Sequence, residues 1–99
     1  MKALIKSKAE PGFDYLDIEK PVVGENDILL KILAASICGS DVHIYEWTSG
    51  YEFMPLPLIP GHEFTAEVVE IGKNIVGLAL GDRVTSLGYM PCGECRYCR

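Results

Sequence analysis

Ninety-nine residues, 48% of them hydrophobic, suffice for one small packed domain and are too apolar for a disordered chain. Nine Lys plus Arg against fourteen Asp plus Glu leave a net charge of −5, which excludes a general nucleic-acid binder, because that role needs a basic face to displace counterions from phosphate. No apolar run approaches the roughly 18–20 residues of a membrane-spanning helix, and charge enters residues 1–6 too early for a signal peptide, so a soluble, cytoplasmic chain is expected.

Residues 1–6 read as a short edge strand, and 15–18 as a second one after the Pro11-Gly12 turn. Pro21 and Gly24-Glu25-Asn26-Asp27 punctuate the next connection. Residues 28–37 are nearly continuous Ile, Leu and Ala, which predicts a well-buried strand wanting cover on both faces. Gly39-Ser40-Asp41 supplies N-cap chemistry, and residues 42–47 suit about two turns of helix. Three prolines and Gly50 make residues 48–60 an irregular loop. Residues 64–71 alternate as a strand, with Phe64, Ala66 and Val68 on one face and Thr65, Glu67 and Val69 on the other. Gly72 and Asn74 turn it. Gly81-Asp82 is a hairpin-type signal ahead of a last strand start at 83–85. The sum is a mainly β domain with one short helix.

Two signatures are absent. No glycines are spaced Gly-x-Gly, so the chain carries no dinucleotide-binding fingerprint, and no Gly-x-Ser-x-Gly elbow gives a serine esterase-like context.

The four cysteines carry the chemistry. Cys38 stands alone, whereas Cys92, Cys95 and Cys98 are spaced two residues apart. Without an export signal, and with a core rich enough to fold unstapled, metal binding is expected rather than disulfides. Cys38 lies at the mouth of the short helix, where the dipole favours a thiolate. Ser40 and His43 are three apart and share a helix face. Taken singly they read more simply as a buried cysteine, a capping serine and a surface histidine. His62 and Glu63 follow the Pro60-Gly61 turn and precede a strand; one thiolate and one imidazole are two ligands of an open zinc site, with Glu63 a third ligand or an orienting neighbour. The terminal cysteine run also begins a bacterial ferredoxin pattern, which leaves an iron–sulfur or purely structural metal module as the alternative.

Cys38-Gly39-Ser40-Asp41-Val42-His43, then Gly61-His62-Glu63, then Gly72 and Ile75, Gly81-Asp82-Arg83-Val84 and Cys92-x-x-Cys95-x-x-Cys98 together resemble the zinc-dependent medium-chain alcohol dehydrogenases. His43-Ile44-Tyr45-Glu46-Trp47 is most similar to the threonine 3-dehydrogenase branch, with the sorbitol and other polyol dehydrogenases next. The resemblance implies that residues 1–99 are the N-terminal part of a GroES-like catalytic domain, a partial β-barrel ending before the Rossmann domain, with a structural-zinc lobe from about residue 88. It implies catalytic-zinc ligation by Cys38 and His62 with Glu63 as ligand or neighbour, a proton relay through Ser40 and His43, and Cys92, Cys95 and Cys98 on a second, structural zinc. The implied activity is oxidation of a secondary alcohol, by alkoxide formation at zinc and hydride transfer to NAD or NADP held by another domain. The 99 residues alone are then expected to be inactive, and a homo-oligomer is expected. Two positions depart from the family pattern: Ala66 replaces a glycine, and Ser40 replaces the threonine usual in the threonine branch.

Overall fold

A computed structural model describes residues 1–99. Five strands and one helix form two separate antiparallel sheets, with no closed barrel. Strands β1 (Lys2–Ile5) and β2 (Asp14–Asp17) make a ribbon in the register Lys2↔Asp17 to Ile5↔Asp14. Strand β3 (Ile28–Ala35) leads into helix α1 (Gly39–Glu46); β4 (Phe64–Ile71) and the short β5 (Arg83–Val84) complete a sheet of order β3-β4-β5. The mainly β reading with one short helix is therefore borne out.

Strand β4 follows its alternation. Ala66 and Val68 are fully buried, whereas Thr65 and Val69 are exposed. Ile5 and Ile44 complete the apolar core. At the end of β4, Gly72 passes so close to the turn at residues 24–27 that a Cβ there would lie 2.3 Å from the Gly24 oxygen and 2.5 Å from the Glu25 oxygen. Hydrogen bonds from Gly72 N–H to Asp27 O and from Asn74 N–H to Glu25 O lock that approach. Only glycine permits it.

Strand β3 departs from expectation. It stops at Ala35 rather than reaching residue 37, and it is not well buried: Ile32, Leu33 and Ile37 are 53%, 46% and 79% exposed. An apolar run specifies a demand for cover, and here only β4 meets β3, along one edge.

Lys6 is the unexpected interior residue. It follows β1 and is fully buried, with its backbone bridged to Leu58. Its ammonium donates to the carbonyls of Glu10, Gly12 and Tyr45, and lies over the rings of Phe13 and Trp47. A buried ammonium is tolerated when oxygen and π-face partners replace its water. One side chain thus ties the β1–β2 connection to the last turn of α1.

Candidate metal centre

The β3–β4 ladder positions the site. Its last pair is Ala35↔Phe64, and one rung further Ser36 N–H donates to Glu63 O at 2.9 Å. The residues just after β3 therefore face those just before β4. Gly61, at φ +107°, turns the chain into His62 in a conformation that L-residues rarely adopt. Cys38, in extended conformation, is the N-cap of α1, and its N–H donates to Asp41 Oδ2 at 2.9 Å. The donor atoms of Cys38, His62 and Glu63 consequently lie within 4.8 Å of one another. His62 and Glu63 border an open cleft of about 540 Å³ that Ser36, Thr65 and Gly88 also line.

The electrostatics of this cluster favour a bound charge. Hydrogen bonds from the Ser40 hydroxyl and then the Ser40 N–H hold the Cys38 thiol below its ordinary value, with His62 adding to them; burial and the Glu63 charge oppose. The contact with Cys38 raises His62, against some desolvation, and Asp41 and Glu63 push the same way. Thiol and imidazole thus stabilise each other's charged forms.

Two residues in the cluster escaped the sequence reading of the site. Asp41 is nearly buried; its Oδ1 lies 3.8 Å from His62 Nδ1 and has no hydrogen-bond partner. Across that distance the carboxylate acts on the imidazole through its charge and raises its basicity, rather than through a hydrogen bond. The Asp41 signal in the sequence was confined to helix capping, because its distance to His62 is set only by the sheet. Ser36 is the second: its hydroxyl donates to Glu63 Oε2 at 2.5 Å and restrains that carboxylate.

Ser40 and His43 share α1 but are not joined. Ser40 is directed at Cys38, whereas the His43 ring bonds Thr48 and stacks on Tyr51. At the other end of the chain the donor atoms of Cys92, Cys95 and Cys98 also lie within 4.8 Å of one another, with every cysteine free. The Cys95 N–H points at Cys92 Sγ across 3.4 Å; this bond, with the Glu94 N–H and the neighbouring thiols, lowers the Cys92 thiol to about 7.

The chain is similar to known proteins in sequence and in fold. The L-threonine 3-dehydrogenase of Pseudoalteromonas translucida (strain TAC 125) is 50% identical over 100 residues, which take in all of this chain and 29% of that protein. The chain thus spans less than a third of the length of the curated relatives it matches. Among solved structures, an alcohol dehydrogenase from Thermus sp. ATN1 is 32% identical with a TM-score of 0.78. Zinc-dependent alcohol dehydrogenase 2 from Streptococcus pneumoniae is 31% identical with the same TM-score of 0.78. Each comparison covers 99% of this chain and 28% of the solved one. The alcohol dehydrogenase GroES-like domain matches residues 24–99, and with these likenesses in sequence and fold the chain belongs to that family.

Proposed function

We propose that residues 1–99 are the metal-binding part of a zinc-dependent, NAD(P)-linked dehydrogenase that oxidises a secondary alcohol, threonine-like or polyol in class. The observation that carries this is the convergence of Cys38, His62 and Glu63 within 4.8 Å, beside a buried Asp41 oxygen that lacks a partner. A thiolate, an imidazole and a carboxylate are the donor types zinc takes in open sites, so the residues fit the ion. When bound, zinc supplies a Lewis acid that lowers the pKa of a coordinated hydroxyl.

The chain's own residues do the rest. Cys38 would hold the ion as the thiolate that Ser40 and His62 favour, His62 would bind it with the Asp41 carboxylate beside its ring, and Glu63 is restrained by Ser36. The relay for the proton of the substrate hydroxyl is Ser40 Oγ and then His43 on the same helix, two groups that make no direct contact with each other here. Cys92, Cys95 and Cys98 give three thiolates to a second, structural zinc. Nicotinamide binding belongs to protein outside these residues, which hold no glycine-rich fingerprint. The isolated chain is then catalytically silent. Free cysteines suit a reducing, cytoplasmic setting, and the uncovered apolar face of β3 suits a homo-oligomer.

A graft tests this. Residues 1–99 replace the matching segment of the Pseudoalteromonas translucida L-threonine 3-dehydrogenase, and NAD reduction is followed with threonine and with sorbitol. Activity that is lost on Cys38→Ala or His62→Ala is expected. A folded, zinc-loaded graft with no dehydrogenase activity, or one indifferent to both substitutions, contradicts the proposal.

A further inference from the structure

At the end of α1 the chain turns back through Thr48. The Thr48 N–H donates to the His43 carbonyl at 3.1 Å. The Thr48 hydroxyl oxygen lies 3.2 Å from that same carbonyl oxygen and 3.1 Å from His43 Nδ1. A hydroxyl has one hydrogen to give, and a carbonyl can only accept. The hydrogen therefore lies on the line to the carbonyl, since otherwise two oxygens would face each other at 3.2 Å with nothing between them. Thr48 Oγ1 must then accept from Nδ1. Neutral His43 is thus protonated at Nδ1, and Nε2 keeps the free lone pair.

The ring plane is set by the same turn. Tyr51 stacks on His43 with centroids 5.7 Å apart and planes 28° from parallel, and Tyr51 N–H donates to Thr48 O at 3.3 Å. Hydrogen-bond partner and stacking plate thus move as one piece.

We infer that Thr48 is a positioning residue that fixes His43 as the Nδ1–H tautomer, so that His43 takes up its proton at Nε2, with Tyr51 holding the ring plane. The use of that proton rests on the relay proposed above, whereas the tautomer does not. Protonation adds one hydrogen at Nε2 and leaves the Nδ1–H bond to Thr48 unchanged, so the ring passes between its two states without turning.

The test is nitrogen-15 NMR of the imidazole rings in the metal-free 99-residue chain, at a pH above the ring titrations. The chain has two histidines, and His43→Gln assigns the pair. The expected His43 ring has a protonated, pyrrole-type Nδ1 and a bare, pyridine-type Nε2. Thr48→Val should move the tautomer ratio about fivefold toward Nε2–H, the bias that one hydrogen bond commands, and Thr48→Ser should restore it. A native ring protonated at Nε2 overturns the inference. So does a Thr48→Val ring that matches the native one in a chain whose amide spectrum remains folded. Should Thr48→Val fail to fold, the native ring and Thr48→Ser decide. No metal, cofactor or substrate enters this measurement, so failure of the dehydrogenase reading would show in the graft instead.

Discussion

Replacing Lys6 by Met keeps the apolar stem and deletes the ammonium that joins the Glu10 and Gly12 carbonyls to Tyr45 at the end of α1. Hydrogen bonds from a charged donor are worth about 1.5–3 kcal/mol each, but the three do not sum. Tyr45 O retains the Gly12 N–H at 2.8 Å, and Glu10 is exposed enough for water to replace the lost donor. The contacts with Phe13 and Trp47 add about 1 kcal/mol together, and the ammonium's desolvation, no longer required, offsets part of the loss. The net destabilisation is about 2–4 kcal/mol, a large share of a small domain's stability. With an m-value of about 1.5 kcal/mol/M, the urea midpoint falls by about 1.3–2.7 M. Trp47 is the chain's one tryptophan and lies 5.3 Å from the Lys6 ammonium, so its fluorescence reports the transition from the perturbed spot. A midpoint shift below about 0.3 M would refute the claim that this buried cation pins the helix.

Gly72→Ala places a methyl against the Gly24 and Glu25 oxygens, and overpacking against backbone should cost about 2 kcal/mol or more, read as a lower thermal midpoint; an unchanged midpoint would mean the turn at residues 24–27 yields freely. Alkylation of Cys92 in the metal-free chain, followed peptide by peptide, should rise through a midpoint near pH 7. Because this folded value lies below the ordinary 9.0, its contribution to stability is present above pH 9 and is lost as pH falls through about 7. A midpoint near pH 9 would contradict the hydrogen bonding drawn at that sulfur. The exposed Ile32 and Leu33 of β3 should drive self-association at micromolar concentration, and Leu33→Glu should return the chain to a 10.9 kDa monomer on gel filtration; a native chain already monomeric would count against it.

The residues most plainly legible in the sequence were those whose signal is local. The bounds of strand β4 are legible because alternation over residues 64–71 needs no partner to be recognised, and the structure buries the face that carries Ala66 and Val68. The grouping of Cys92, Cys95 and Cys98 follows from spacing alone. Cys38 and His62 were nameable from their motifs, whereas their proximity depends on the β3–β4 register, which no single segment encodes. Lys6 illustrates the limit: a charged residue after an edge strand reads as solvated, and only carbonyls from residues 10, 12 and 45, brought together by the fold, make its burial possible. Asp41 and Ser36 were hidden for the same reason. Strand β3 erred in the opposite sense, because its composition records a need for cover that these 99 residues do not meet.

Cobalt(II) titration of the 99-residue chain tests the central claim most directly, since thiolate-to-cobalt charge transfer and the ligand-field bands report which donors are bound. The Cys92, Cys95 and Cys98 cluster is first removed by a triple substitution to Ser, which leaves Cys38 as the sole thiol. The account predicts a remaining one-thiolate cobalt spectrum that Cys38→Ser abolishes, that His62→Ala weakens by about tenfold or more in affinity, and that Asp41→Asn weakens by about tenfold through loss of the carboxylate charge beside His62. A triple variant that binds no cobalt, or one whose spectrum survives both Cys38→Ser and His62→Ala, would contradict it.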